Sequence, residues 1–246
     1  QDIIEPSFDQ LHLRFSPSSI GGNGFAAWST NGTDVVIEGG AQDGVAKGAS
    51  GGRVAIMKGL NHDGLRIDGS VGKSFAYGAQ KGMLIVQGNA DSRACIRLSG
   101  ADVVLGGMIV DPIEDRNGGV GASANLKGFA CEYMTSGRVV ILGDPGPFAF
   151  SGMTGGVVYQ MLTPELGFDR QVLLSRIGRG AHVNISNLEQ EDMPSIGELL
   201  SQYQAALSQT DQPDLAEWVR RLCEPQALLS RFVKIVPESE EGIYLS

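Results

Sequence analysis

The sequence predicts a mainly β fold, a β-solenoid that is followed by a C-terminal helical segment. Glycine is unusually common, with 35 residues in a chain of 246, whereas an average usage of about 7% would give roughly half that number. Short apolar runs follow glycines at a recurring interval of roughly 20 residues. The pattern changes after about residue 185, where apolar residues recur at helical spacing.

The bulk composition predicts a globular chain that acts away from nucleic acids and membranes. Hydrophobic residues make up 42% of the chain and the mean hydropathy is −0.02, so a core can form but no stretch approaches a membrane span. The net charge of −9 disfavours nucleic acids and anionic membranes as partners. Because no signal peptide is visible, we expect a cytoplasmic location.

Each apolar run is introduced by a glycine, and these glycines define the repeat. A period of about 20 residues with glycine turns is typical of a β-solenoid, since helical repeats are longer. The longer interval after Gly52 predicts an insertion at Leu60–Gly69, and the interval between Gly100 and Gly137 is close to two repeats. The six glycines are Gly32, Gly52, Gly82, Gly100, Gly137 and Gly156.

Counting from these glycines predicts which strand residues face the interior. Side chains alternate between the two faces of a strand, and the third and fifth residues after each glycine carry no charge. We therefore expect these positions to point inward and the second and fourth to point outward. The predicted inward residues are Val35, Ile37, Ala55, Met57, Ile85, Gln87, Val103, Leu105, Val140, Leu142, Tyr159 and Met161.

The predicted outward positions are also largely apolar, and an apolar stripe of this kind requires a cover. We expect a neighbouring domain or subunit to supply it. The alternative is that the N-terminal residues or the C-terminal helices of the same chain fold back over the stripe. The outward apolar residues are Val54, Ile56, Leu84, Val86, Val139 and Ile141.

The last quarter of the chain predicts two helices that cap the solenoid. Asp192 is a suitable N-cap with Pro194 in the first turn, and a second amphipathic helix ends near Pro225. We predict two domains, residues 1–185 as the glycine-rich β domain and residues 186–246 as the helical segment and tail. The apolar faces comprise Ile196, Leu199, Leu200, Tyr203, Ala206 and Leu207 in the first helix, and Leu215, Trp218, Val219 and Leu222 in the second.

The three cysteines are predicted to be packed free thiols. Cys95, Cys131 and Cys223 lie far apart in the sequence and have no spacing typical of zinc or iron–sulfur sites. The pair Cys131–Glu132 could also indicate a thiol nucleophile, but no histidine is close to it in sequence.

Three histidines and one acidic loop are the remaining candidates for chemistry. None of the histidines has neighbours that complete a metal site or a Ser–His–Asp triad. The acidic loop could bind a cation, but its spacing matches no calcium loop. We therefore predict no catalytic, cofactor-binding or metal-binding residue in this chain. The residues concerned are His12, His62, His182, Asp111, Glu114 and Asp115.

Two stretches of the chain resemble a known family. The sequences CEYMTSGRVVILGD (Cys131–Asp144) and FAFSGMTGGVVYQM (Phe148–Met161) are similar to the C-terminal GXGXG domain of the glutamate synthase large subunit. The resemblance runs from about Gly48 to Ile185, and SIGELLSQYQAAL and LLSRFVKIVP resemble the helical tail of that subunit. The stretch NLKGFACEYM departs from the acidic-His sequence that usually leads into this motif.

The resemblance implies a right-handed single-stranded β-helix (solenoid) with a C-terminal α-helical cap. It also implies a structural role between a glutamine amidotransferase and an FMN and iron–sulfur synthase, between which ammonia travels. Neither module is found in this sequence, so we expect both as partner subunits, with FMN and the iron–sulfur cluster bound by a partner and no cofactor in this chain.

The leading hypothesis is a non-catalytic scaffold subunit of a glutamate synthase-type complex, which includes N-methylglutamate synthase. A second hypothesis is the β-helix subunit of a formylmethanofuran dehydrogenase-like complex with formyltransferase and hydrolase partners. A third is a stand-alone enzyme with its site in a groove of the solenoid.

Overall fold

The computed structural model describes residues 10–116, 121 and 123–238, and these form eleven strands and four α-helices. Two 3-10 helices, Pro164–Leu166 and Gln190–Asp192, complete the elements of the described part. The strands are β1 (Leu11–Gly21), β2 (Thr33–Ala41), β3 (Ser50–Met57), β4 (Gly59–Leu60), β5 (Arg66–Ile67), β6 (Lys81–Val86), β7 (Ser99–Leu105), β8 (Ser136–Ile141), β9 (Val157–Met161), β10 (Val183–Asn187) and β11 (Phe232–Pro237). The α-helices are α1 (Arg170–Arg176), α2 (Met193–Gln209), α3 (Pro213–Leu222) and α4 (Pro225–Arg231).

One sheet of nine strands organises the described part of the chain. Its order is β1-β2-β3-β6-β7-β8-β9-β11-β10. The first seven strands are parallel, whereas β11 pairs antiparallel with both β9 and β10. The C-terminal part of the chain thus returns to the sheet and extends it. The predicted insertion is confirmed, since β4 and β5 form a separate antiparallel hairpin.

The predicted fold class, a mainly β, right-handed single-stranded β-helix with a C-terminal α-helical cap, is wrong. The described residues form a mixed α/β fold with a mostly parallel nine-stranded sheet and four α-helices. The glycine period located parallel strands, but it carries no information on how the C-terminal segment pairs. Phe232–Pro237 enters the sheet as a strand, and α2 packs on one face of the sheet, so the helices form a layer rather than an end cap.

Short segments that we call the crossover turns connect successive parallel strands and explain the glycine content. In each turn the first, third and fifth residues have a positive φ, as in Gly44 (70°), Ala46 (54°) and Gly48 (65°). Positive φ is sterically easy for glycine and costs other residues roughly 1 kcal/mol or more each. Successive turns also bond to each other, as where Ala46 N donates to Phe25 O at 3.0 Å. The crossover turns are residues 24–28, 44–48, 74–78, 93–97, 129–133 and 148–152.

The larger of two hydrophobic cores lies between the sheet and the crossover turns. Strand residues such as Leu84 and Val139 meet the third residues of the turns, among them Ala76 and Cys95, and all of these side chains are buried. Small residues suit this third position because the turns approach the sheet closely.

The second core lies between the opposite face of the sheet and the C-terminal helices. Ile85, Val104 and Val140 pack there against the apolar side of α2 and α3. This result confirms both predicted apolar helix faces. The alternative in which the C-terminal helices fold back over the stripe of Val54, Leu84 and Val139 is wrong, because these helices cover the opposite face of the sheet. A parallel sheet needs such cover on both faces. None of the helices in the described ranges is long and apolar enough to span a membrane.

The predicted assignment of inward and outward residues is wrong in two ways. Val35 pairs with Val54 rather than with Ala55, and Val103 pairs with Val139 rather than with Val140. β2 pairs with β3 one residue out of step with the glycine alignment, and an irregularity at residues 99–102 shifts β7 by one residue relative to β8. A shift of one residue moves a side chain to the other face.

The apolar stripe assigned to the outside is part of the larger core. Val54, Leu84 and Val139 are fully buried within this chain, so they offer no surface to a partner. The prediction that a neighbouring domain or subunit covers this stripe is therefore wrong. The crossover turns supply the cover instead.

Asp192 does not cap α2 with its side chain. The helix begins at Met193 with Pro194 in its first turn, as predicted. The Asp192 carboxylate accepts a hydrogen bond from Glu189 N at 3.0 Å and pairs with Lys234 Nζ at 2.9 Å, which joins the start of α2 to β11. The division of the chain at residue 185 stays a prediction.

We predict that Val139→Asp unfolds the chain as severely as Val140→Asp does. Each substitution places a carboxylate at a fully buried site, one in each core, which should cost several kcal/mol. Urea denaturation measures the loss, and Leu65→Asp, at an exposed position in the insertion, serves as the control. A Val139→Asp protein that matches this control would contradict the assignment of the larger core.

Candidate functional site

A cavity of about 610 Å³ lies at the carboxyl ends of the central parallel strands. In parallel sheets, ligands commonly bind beyond this end of the strands. The segments that follow β6, β7 and β8 contribute the glycines and amides of its wall, and α2 and α3 contribute its apolar side. Its lining includes Lys58, Asp68, Ser70, Gln87, Asn89, Gly106, Gly107, Asp111, Glu114, Asn125, Asp144, Tyr203 and Leu215.

A ladder of polar side chains crosses the strand ends along the cavity. Asn89 N donates to Ser70 Oγ at 3.1 Å, and Asn125 Nδ2 donates to Asn89 Oδ1 at 2.9 Å. Asp144 N donates in turn to Asn125 Oδ1 at 2.9 Å. Gly143 gives this ladder room, since a Cβ there would lie 2.3 Å from Asn125 Oδ1.

The ladder ends in a buried ion pair between Asp144 and Arg176. Arg176 Nε lies 3.0 Å from Asp144 Oδ1, and Arg176 Nη2 lies 2.9 Å from Asp144 Oδ2. Both side chains are almost fully buried, at 4% and 3% exposure. Gly146 N also donates to Asp144 Oδ1, and Arg176 Nη2 donates to Asp115 O. These contacts hold α1 against the end of β8 and satisfy both charges.

A pair of glutamine amides fastens the cavity wall to the helical layer. Gln212 Nε2 donates to Gln87 Oε1 at 3.0 Å, and Gln87 Nε2 donates back to Gln212 Oε1. Gln87 Oε1 also accepts a hydrogen bond from Lys58 N at 2.8 Å. Since Gln212 precedes α3, this contact fixes the position of the loop between α2 and α3.

Tyr203 is the buried polar group of the cavity that has no partner. The residue is 1% exposed, and its hydroxyl oxygen makes no hydrogen bond within the described residues. A Cβ on Gly106 would lie 2.7 Å from this oxygen, so the glycine allows the close approach. Burial raises the pKa of Tyr203 well above its usual value, because desolvation disfavours the phenolate.

These groups are suited to hold the strand ends and to hydrogen-bond a small polar molecule. The amides and Asp144 already bond to one another, and the buried Tyr203 hydroxyl is left to bond to a ligand. Within the described residues, no group of three or more His, Cys, Asp and Glu side chains is placed to hold a metal ion.

The structure places the predicted thiols in packed positions. Cys95 and Cys131 occupy the third positions of adjacent crossover turns and are fully buried, while Cys223 is half-buried. A hydrogen bond between the protonated Cys95 thiol and Cys131, together with burial, raises the pKa of Cys95, and burial raises that of Cys223. This supports the packed-thiol interpretation over that of a thiol nucleophile, and this donor set does not fit an iron–sulfur cluster.

The structure separates the histidines from the cavity. His12 contacts Asp34, His62 lies beside Asp63, and His182 lies beside Glu238. Of the acidic loop, Asp111 and Glu114 line the rim of the cavity as exposed residues.

The residues of the polar ladder were missed at the sequence level. The signal for them is the short polar or glycine sequence that follows each apolar run, as in QGN before Ala90, LGG before Met108 and LGD before Pro145. Asn125 has no such signal, because it lies in the long connection between β7 and β8.

Tyr203→Phe should leave the stability unchanged or raise it by up to about 1 kcal/mol, because the buried hydroxyl has no partner to lose. Tyr159→Phe is the matched control, since Tyr159 is also buried but hydrogen-bonds to Ser195, and it should lose about 1 kcal/mol. Chemical denaturation of the two variants tests this. A clear loss for Tyr203→Phe would mean that the hydroxyl has a bound partner in solution.

Arg176→Met should cost about 3–5 kcal/mol, because it leaves the Asp144 carboxylate buried without its cation. Adding Asp144→Asn should recover part of this loss, and Arg116→Met, which breaks the more exposed pair with Asp169, should cost less than about 1 kcal/mol. The measurement is urea denaturation. Equal effects of Arg176→Met and Arg116→Met would contradict the role of the buried pair.

Comparisons with known proteins agree on one family. The GXGXG motif family matches residues 3–238, which confirms the resemblance seen in the sequence. The NADPH glutamate synthase large chain of Bacillus subtilis is 29% identical over 241 residues, which cover 97% of this chain and 14% of the relative. Ferredoxin-dependent glutamate synthase 2 of Arabidopsis thaliana, a chloroplastic protein, is 37% identical over 152 residues, which cover 61% of this chain and 8% of the relative.

The NADH glutamate synthase of Schizosaccharomyces pombe is 29% identical over 237 residues, which cover 94% of this chain and 10% of the relative. This chain therefore spans at most 14% of the length of these three relatives. In the crossover turns, alternate residues have a positive φ, which glycine adopts at little steric cost. A sequence with alternate glycines therefore suits this backbone. The chain belongs to the GXGXG motif family and is related to one part of the glutamate synthases.

Proposed function

We propose that this chain is a non-catalytic structural part of a glutamate synthase-type enzyme. In this proposal it binds a glutamine amidotransferase-like subunit and a synthase-like subunit that carries FMN and an iron–sulfur cluster, and the complex is cytoplasmic. Ammonia released by the first partner is transferred to 2-oxoglutarate or a related acceptor at the second. N-methylglutamate synthase is included in this proposal.

The proposal rests on how small a share of its relatives' length this chain matches. Nearly the whole chain matches the GXGXG motif family, yet it spans only 14% of the Bacillus subtilis large chain. The remaining length of that relative is where the other functions of a glutamate synthase would reside. The proposal assigns the rest of the reaction to polypeptide outside these 246 residues.

The chemistry of the described residues is compatible with a structural role. Cys95 and Cys131 are buried in the larger core, and the Asp144 carboxylate is saturated by Arg176 and backbone groups. The Tyr203 hydroxyl is also buried. Each of these groups is enclosed by the fold and presents no reactive atom to solvent.

Affinity purification of the tagged full chain from its native source tests the proposal. We expect an amidotransferase-like protein and a flavoprotein to co-purify, and the preparation to show a flavin absorbance spectrum. The purified complex should consume glutamine and 2-oxoglutarate in the presence of a reductant, whereas the isolated chain should be inert. A parallel assay with methylamine distinguishes the N-methylglutamate variant.

Two results would contradict the proposal. Turnover by the isolated chain would make it an enzyme in its own right. Co-purification of a flavin-free formyltransferase or amidohydrolase would assign the chain to a one-carbon complex instead. The destabilised variant Val139→Asp serves as the control for proteins that bind unfolded chains, and it should capture neither partner.

A further inference from the structure

The free edge of the sheet at β1 exposes side chains that belong to the core in every neighbouring strand. Leu13 is paired with Val35 and Phe15 with Ile37, on the face that packs against the crossover turns. Val35 and Ile37 are 4% and 1% exposed, whereas Leu13 and Phe15 are each 38% exposed. The larger core is therefore open at this end.

The backbone of β1 is also open. β1 is the terminal strand of the sheet, so the N–H and C=O groups that point away from β2 have no strand partner within the described residues. A register irregularity between Phe15 and Ser19, with Pro17 inside it, limits the straight part of the edge to Leu11–Phe15. An open edge of this kind is a template for one further strand.

The opposite edge of the sheet differs from β1. There the core-facing side chains of β10, Val183 and Ile185, are partly buried against the larger core, whereas Leu13 and Phe15 of β1 are exposed. The two edges are therefore not equivalent, and β1 is the one that can accept a strand.

The face of β1 opposite Leu13 and Phe15 indicates which charge an added strand should carry. Asp34 on β2 receives Arg14 Nη2 at 2.8 Å and His12 Nδ1 at 3.2 Å from β1, and Arg53 Nη1 at 3.1 Å from β3. Charges of opposite sign thus alternate from strand to strand. The series ends with His12 and Arg14, whose side chains are 58% and 47% exposed, so a carboxylate is the complementary group at the next position.

We propose that the Leu11–Phe15 edge is the docking site for one extended segment of another polypeptide. This segment adds as a further parallel strand, places apolar side chains beside Leu13 and Phe15, and places a carboxylate beside His12 and Arg14. The proposal does not depend on the function proposed above, because it rests on the open core, the open backbone edge and the terminal cation, Arg14.

A synthetic peptide with the sequence of residues 33–40, TDVVIEGG, serves as the probe because β2 shows this pattern against β3. It is labelled, and its binding to the full chain is measured by fluorescence anisotropy. The second probe carries Asp34→Lys. The chain variants are Arg14→Gln and Phe15→Ser, with Leu174→Ser, which removes an exposed apolar side chain of α1, as the matched control.

We expect the wild-type chain to bind the acidic peptide about threefold more tightly than the lysine peptide, as for an exposed ion pair. Arg14→Gln should reduce this preference, and Phe15→Ser should weaken binding of the acidic peptide roughly tenfold. Leu174→Ser should bind like the wild-type chain. Hydrogen exchange should be fast for the outward β1 amides, those of His12 and Arg14, in the free chain and slower when the acidic peptide is bound.

Several outcomes would overturn the proposal. Equal binding of the two peptides would contradict the role of the charges. An equal loss of peptide affinity in Phe15→Ser and Leu174→Ser would contradict the role of the apolar side chains. Slow exchange of the His12 and Arg14 amides, which point away from β2, in the free monomer would mean that the chain covers this edge itself. A dimer that Phe15→Ser dissociates, measured by sedimentation, would assign the edge to a second copy.

Discussion

The parallel pairing of seven strands is the constraint on which the rest of the structure depends. A parallel sheet has two apolar faces, and exposing either face to water is unfavourable. Here two different layers cover them. The crossover turns pack on the face that contains Val139, and the C-terminal helices pack on the face that contains Val140. The apolar runs in the sequence lack polar alternation because both kinds of side chain are buried.

The crossover turns show how one layer is made from short connections. Their alternate positive φ values let each turn donate and accept hydrogen bonds with the turns before and after it, so the turns form a stacked layer of their own. Only some of these positions are glycine, and residues such as Arg97 and Tyr133 occupy the same conformation. The steric cost at those positions is offset by pairing and packing in the stack.

Sequence reasoning located the strands, the insertion and the two apolar helix faces, because each has a local signal. It failed for the fold class and for the faces of the strands. Both failures have non-local causes: the pairings of β2 with β3 and of β7 with β8 are one residue out of step with the glycines, and β11 pairs with β9, which is distant in sequence. The candidate site was missed because Asn125, Asp144 and Arg176 meet only through the fold.

The central claim is that the C-terminal helices are a permanent cover of the sheet. Native-state hydrogen exchange as a function of denaturant tests it most directly, by comparing the opening free energies of the amides of α2 with those of β6, β7 and β8. The account predicts that the helix and the strands open together, within about 1 kcal/mol of the global unfolding free energy. A helix that opens several kcal/mol below the strands, while the sheet stays protected, would contradict it.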